Sequence, residues 1–357
     1  MAERLLPRRS LLRLAASTGL GLPALSLLGG CRGETADLLA VRGELPSGWA
    51  RGLPSPWRLR QLDDPAAVRA ALQPAPRGPS AEAAGRAGRA DRRRLPALVQ
   101  LGDAWAATLP HAALQPIGTP ALRSRLAPAA AAVQRLYAPE GAPALAWPWS
   151  CSPWLLLLRD RADLAARSEE GWGLLLDSSL RGRLILPSSP LVTIALVDAD
   201  PERLRRLRAQ AIASDDIDGL SLLLNGEAEA AVLPRHRVVP LLRRDPRLQA
   251  LLPAEGAPRS WNLLLRSAGD GPVVPIDWLA EALAPPLLPR LLVAGWVPPL
   301  QRPTLHKALQ GFPPALADLL LPPAAVEARC RDLPPLTPAA RQQMQALWDG
   351  AAPDVSA

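Results

Sequence analysis

Aromatic residues other than tryptophan are almost absent from this chain. One tyrosine, Tyr137, and one phenylalanine stand against eleven tryptophans. A nucleic-acid surface built by stacking needs aromatic residues interleaved with basic ones in series, and no such series is present, so nucleic acid is not an expected partner. Histidine is scarce as well: His111, His236 and His306 lie far apart, with no ligand-type partner four residues away, so no zinc site follows from them. The three cysteines form no Cys-x-x-Cys pair. A Gly-x-Ser-x-Gly elbow and a phosphate-cradling glycine loop are both missing. These absences point away from an enzyme and imply no cofactor and no catalytic residue. Lysine is reduced to Lys307, so the basic residues are almost all arginine.

What the chain does have begins at its N-terminus. Arg8-Arg9-Ser10-Leu11-Leu12-Arg13 is a twin-arginine-like motif ahead of a mildly apolar run at residues 14–28. The run is too short and too rich in Gly and Ser to span a bilayer as a stable helix, and reads as an export signal over residues 1–30. It closes on Leu28-Gly29-Gly30-Cys31, a lipobox-like end in which Cys31 would receive a diacylglycerol. The expected mature protein is therefore periplasmic and tethered to the membrane through residues 31–36. The remaining thiols, Cys151 and Cys330, sit in a compartment that permits disulfides. They either pair or stand as two buried free thiols.

The formal charge is +8, of which the signal carries +3, leaving +5 spread along the mature chain among acidic residues. That is a solvated surface rather than a polyanion-binding stripe. The mature length allows two lobes with a core each. Residues 37–41 and 57–62 fit two strands, with a turn at Gly43-Glu44-Leu45-Pro46 between them. Residues 74–94, rich in Ala, Gly, Pro and Arg without an apolar period, read as a mobile loop. A strand ending at Gly102 is followed by a helix start at Asp103, whose carboxylate is placed to cap it. Trp147-Pro148-Trp149-Ser150-Cys151-Ser152-Pro153-Trp154 leads into an apolar run at residues 155–158 that reads as a buried strand. Trp154 belongs with that core.

The most informative block is Gly171-Trp172-Gly173-Leu174-Leu175-Leu176-Asp177-Ser178-Ser179-Leu180-Arg181-Gly182-Arg183-Leu184-Ile185-Leu186-Pro187-Ser188-Ser189-Pro190. It predicts a helix, a polar turn, a short strand at residues 183–186, and a new helix capped at Ser188-Ser189 with proline in its first turn. The order Gly-Trp, Leu-Leu-Asp, Leu-x-Gly-x-Leu and a polar pair before a helix resembles the centre of bacterial extracellular solute-binding proteins of ABC transporters, the polyamine (spermidine/putrescine) type above all. Asn225-Gly226-Glu227 before an apolar strand, Ser260-Trp261-Asn262 at a return crossing and Gly295-Trp296-Val297-Pro298 after a packed helix extend the likeness over most of the mature chain.

The resemblance implies an α/β, two-lobed, periplasmic-binding-protein-like (type II) fold with a central ligand cleft and two interlobe crossings. It places lobe 1 at residues 37–145 and 258–348 and lobe 2 at residues 146–257. By position it nominates Glu44, Asp103, Trp105, Trp149, Ser150, Ser152, Ser188, Ser189 and Trp261 as ligand contacts. Small hydroxyl groups would meet polar parts of the ligand and tryptophan faces would cover apolar or cationic parts. The family's acidic anchors are replaced by Ser189, Val192 and Leu263, which argues against a polyamine. The paired tyrosines of the related iron-binding group are missing too. The expected function is capture of a small solute by hinge closure and delivery to an ABC-transporter permease, by a monomer. A degenerate member of the fold serving as an envelope scaffold or assembly factor is the rival expectation.

Overall fold

Four consecutive leucines, Leu155 to Leu158, have no polar face to offer solvent and must be covered on both sides. In the computed structural model, which describes residues 36–72, 95–215, 219–269 and 271–352, they form the second half of the long strand β5 (Ala146–Arg159). Alternation of side chains across a strand puts Leu156 and Leu158 in one apolar cluster and Leu155 and Leu157 in another on the opposite face. The first half of β5 lies in a third cluster, with Trp147 and Trp149 fully buried.

The other strands are β1 (Ala36–Val41), β2 (Trp57–Leu62), β3 (Leu98–Gly102), β4 (Leu114–Gln115), β6 (Leu184–Ile185), β7 (Ala211–Ala213), β8 (Ala230–Pro234), β9 (Leu248–Leu251), β10 (Pro258–Ser267) and β11 (Arg331–Asp332). They run in the order β2-β1-β3-β10-β5-β8-β6-β7, with β4 and β11 on β10 and β9 on β5. β1 pairs parallel with β2 and β3, and β6 parallel with β7 and β8. The two parallel groups are joined by antiparallel pairing through β10 and β5. Those two strands are the chain's crossings between lobes. Both strands run from one apolar cluster into another: Trp149 and Trp261 belong to the first, Trp154 and Ala257 to the second.

Several local readings match. β1 and β2 cover the anticipated spans. The central block folds as a 3-10 segment Ser168–Leu176, the short β6, and a helix Pro190–Leu196 with Ser189 at its N-cap position. Gly182 takes φ +70°, a conformation that favours glycine. The Ser189 side chain, however, makes no capping hydrogen bond. Helix Leu220–Asn225 ends on left-handed Gly226, as the Asn-Gly pair suggested.

Near the C-terminus, Cys330 and Ala351 join the apolar cluster that holds Trp154, Leu156 and Leu158, and Met344, Leu347 and Trp348 of helix Pro338–Gly350 pack against it. The guanidinium of Arg208 lies 3.9 Å over the Trp348 ring. An amphipathic helix declares that it must cover something, and its sequence is silent on which lobe that is. Residues 1–30, read as an export signal, Cys31 and residues 74–94, read as a loop, lie outside the described residues. Among the described residues no helix is long and apolar enough to cross a membrane.

Candidate functional site

Where β5 and β10 pair, three groups of polar and aromatic side chains meet. The first is built on Asp103. β3 ends at Gly102 and helix Asp103–Ala106 begins at once, with Gly102 rather than Asp103 in the capping position. Asp103 is instead a buried acceptor. Its Oδ2 takes the Tyr137 hydroxyl proton at 2.6 Å and its Oδ1 the Trp261 backbone N–H at 3.1 Å. Burial pushes its carboxyl up to about 6 against these hydrogen bonds, and the charge of Asp332 adds to the rise. Burial, then the Asp103 charge, pushes the Tyr137 phenol above its ordinary range. The Trp261 indole donates from Nε1 to Asp332 Oδ1 at 2.8 Å, and Arg259 Nε donates to the same oxygen at 3.0 Å. Trp261 is thus pinned to one carboxylate through its backbone and to another through its ring.

The second group centres on His236. β8 ends at Pro234 and helix Arg235–Leu242 follows, a strand-to-helix junction of the kind where ligands commonly bind in α/β proteins. The imidazole stacks on Trp296, with ring centroids 4.0 Å apart and planes 14° from parallel. His236 Nδ1 shares a hydrogen bond of 2.9 Å with Ser152 Oγ. Its Nε2 stands 3.5 Å from Glu44 Oε2, an ion-pair distance rather than a good hydrogen bond. Burial pushes the Glu44 carboxyl up, yet the His236 imidazole and the Arg237 charge outweigh it and hold the group below the usual carboxylate range. Glu44 follows β1 and His236 follows β8, so this contact links the ends of two strands from different parallel groups.

Behind them stands a tryptophan cluster. Trp149 is fully buried between Trp49, at 5.3 Å, and Trp296, at 4.9 Å. Trp49 and Trp278 stack at 4.3 Å and exchange hydrogen bonds, each Nε1 donating to the other's carbonyl at 2.9 Å.

The third group encloses a cavity of about 60 Å³, lined in part by Cys151, Arg235, Arg259, Trp261, Pro298 and Cys330. Arg235 is buried. It donates from one terminal nitrogen to the carbonyls of Leu320 at 3.0 Å and Leu319 at 3.3 Å, and from the other to the Cys151 carbonyl at 2.6 Å. Burial pulls its guanidinium down to about 10. Cys151 and Cys330 are free thiols and are not bonded to each other. Of the two readings of these cysteines, the structure contains the unpaired one. Burial pushes the Cys151 thiol up to about 12.

The nominated residues therefore divide. Glu44, Asp103, Ser152 and Trp261 are joined to the groups above. Trp149 and Ser150 are fully buried: the indole is enclosed by other tryptophans, and the Ser150 hydroxyl has no hydrogen-bond partner. Trp105 is 39% exposed, and neither it nor the Ser188-Ser189 pair lines the cavity. Five residues that the sequence reading did not nominate hold the site together: Tyr137, Arg235, His236, Arg259 and Asp332. Pro234-Arg235-His236 carries the same strand-end, helix-start signal that selected Asp103. Arg259 and Asp332 have no local signal, being 73 residues apart. A larger apolar groove of about 970 Å³ opens between Leu242, Leu248 and Leu252 on one side and Phe312, Leu316 and Leu319 on the other, and none of the nominated residues lines it. Among the described residues no cluster of His, Cys, Asp and Glu suits a metal ion.

No family model matches the sequence, and no curated protein is similar to it. Solved structures do share the architecture. The spermidine/putrescine ABC transporter substrate-binding protein of Streptococcus pneumoniae superposes with a TM-score of 0.65 at 9% identity, covering 89% of this chain and 98% of that one. A lipoprotein of Treponema pallidum gives 0.62 at 12%, covering 89% and 99%. Iron-bound HitA from Pseudomonas aeruginosa gives 0.58 at 12%, again covering 89% and 99%. The chain has the mixed α/β, two-lobed type II fold of periplasmic binding proteins. At these identities the likeness is one of fold, and the neighbours differ in what they bind.

Proposed function

We propose that this protein is the solute-binding component of an ABC transporter, held in the cell envelope by lipid on Cys31, and that it captures a small solute where its crossing strands meet. One observation carries the reading. Segments far apart in sequence, bearing Glu44, Asp103, Cys151-Ser152 of β5, Arg235-His236 and Trp261 of β10, converge where β5 and β10 pair. In a two-lobed fold that is where hinge motion opens and closes a cleft. The Glu44–His236 contact is then a closed-state contact between lobes. Solute binding would favour closure through its differential contacts with the two states.

A polyamine fits this arrangement poorly. The acids present, Asp103, Glu44 and Asp332, are each already engaged by protein donors or cations. A multiply charged chain would leave ammonium groups unpaired, at a cost that aromatic cover does not offset. Ser152, His236 and Glu44 stand in the order hydroxyl, imidazole, carboxylate, yet Glu44 at 3.5 Å makes no hydrogen bond that would orient the imidazole as a base. The reading is therefore of a binder rather than a hydrolase.

Thermal-shift and calorimetric titration of the mature protein against amino acids, polyamines, sugars and oxyanions tests it. At least one solute should bind saturably and reduce the radius of gyration measured by X-ray scattering. Binding with no change in scattering, or no binding across the panel, overturns the proposal.

A further inference from the structure

The cavity beside Arg235 has the chemistry of a charge site without its counter-ion. Arg235 is only 3% exposed, and its Nε is buried with no hydrogen-bond partner. Its recorded hydrogen bonds go to neutral carbonyls. A buried cation lacking a carboxylate partner is strongly disfavoured unless something else supplies negative charge. The second guanidinium lining the cavity, Arg259, is offset by Asp332. The one acid in the lining, Glu327, is engaged with Arg302. The thiols of Cys151 and Cys330 bring no charge, because burial pushes both up and keeps them protonated.

We propose that this cavity takes a small anion, a carboxylate or oxyanion of a few heavy atoms, as the charged part of the captured solute. The inference rests on the solute-binding reading above and names the ligand class for the same site. Size supports it: the cavity is small, about 60 Å³, and has room for a compact anion beside Arg235. Position supports it as well. Arg235 opens the helix after β8 and reaches Leu319 and Leu320 near the end of helix Pro314–Leu320, while its other nitrogen holds the Cys151 carbonyl on the crossing strand. An anion drawn to Nε would bind where those segments meet and favour their docked arrangement.

The test uses the whole mature protein at fixed ionic strength, titrated with sodium formate, acetate, nitrate, phosphate and sulfate. A parallel panel holds polyamines, neutral sugars and zwitterionic amino acids. At least one small anion should raise the melting temperature saturably and shift the Arg235 Nε–H resonance in a nitrogen-15 spectrum. Arg235→Gln should weaken that anion about 10- to 100-fold, the range of a lost charge-assisted hydrogen bond, while Arg206→Gln, on an exposed helix face outside the cavity lining, leaves the affinity within about twofold. The resonance reports on the unaltered protein, so it remains decisive if Arg235→Gln fails to fold. If a polyamine, sugar or amino acid binds and no small anion does, the solute-binding reading stands and this inference falls. If nothing in either panel binds, both fall. Anion binding that is equal in the Arg235→Gln variant, or that leaves the Arg235 resonance unmoved, also overturns it.

Discussion

Asp103→Asn isolates the cost of holding a charge inside the site. The carboxyl moves from the ordinary 3.8 in the unfolded chain to about 6 in the native protein, chiefly because burial disfavours the anion. Between roughly pH 4 and pH 6 the native state keeps a proton that the unfolded state has released. The group's contribution is therefore complete below about pH 4 and is lost as pH rises through about 6. A difference of about 2 units, at 1.36 kcal/mol each, makes this loss about 3 kcal/mol. Asparagine cannot ionise and fits the same contacts. Its oxygen accepts from the Trp261 N–H, and its amide donates to the Tyr137 hydroxyl, which turns from donor to acceptor. Urea unfolding of both proteins from pH 3.5 to pH 8 should give curves that nearly coincide at the acid end. The variant should gain about 3 kcal/mol over the parent by pH 7. Comparing the pair cancels the opposite slopes from carboxyls held low, such as Asp177 beside Ser179 and Arg167. Tyr137→Phe, which removes one donor to the anion, should move the transition to higher pH. A stability difference between the parent and the Asp103→Asn variant that is flat with pH, or that favours the parent as pH rises, refutes the reasoning.

Other outcomes follow from the same reading. Cys31→Ser should accumulate as unprocessed, non-acylated precursor, seen by labelled fatty-acid incorporation and membrane fractionation; normal acylation would exclude Cys31 as the lipid site. Denatured protein should release Cys151 and Cys330 as titratable thiols to a disulfide reagent. In the native state Cys151 should react slowly, since a thiol near 12 is about one part in ten thousand ionised at pH 8. Finding no titratable thiol would instead establish a bridge. Trp278→Ala should cost about 3–5 kcal/mol in unfolding free energy, as for other buried large aromatics. It breaks the stack with Trp49 and leaves the Trp49 carbonyl without its indole donor.

The strands were legible because their reasons are local. β1 and β2 are set by alternating or continuous apolar residues between turn residues, and Leu155 to Leu158 can only be buried. The helix starts at Asp103 and after Ser189 were legible for similar reasons. What the side chains do there was not. Asp103 looks like a cap, but Tyr137 and Trp261 reach it from 34 and 158 residues away and draw it inward. Trp149 has the right position for a ligand face, yet sequence position does not say that Trp49 and Trp296 enclose it. His236 has no ligand-type neighbour on its own helix, and its only signal in the sequence is its place just after a strand end. Its partners, Ser152 and Glu44, come from strand β5 and the turn after β1. The crossing strands could be read from runs of residues, while the polar site depends on long-range pairing that no window of sequence contains.

The placement of helix Pro338–Gly350 has a consequence for how the protein is made. The lobe it covers is built mostly from residues translated much earlier, including Leu204 and Leu207 of helix Pro201–Gln210. Until the ribosome has produced Met344, Leu347 and Trp348, the apolar surface they cover has no lid, whatever pairing β6 and β8 have achieved. The middle of this chain is therefore finished from its far end. A nascent chain stalled before residue 338 should retain that exposed surface, attract chaperones that hold unfolded chains, and be cut by proteases in a region that the completed protein shields.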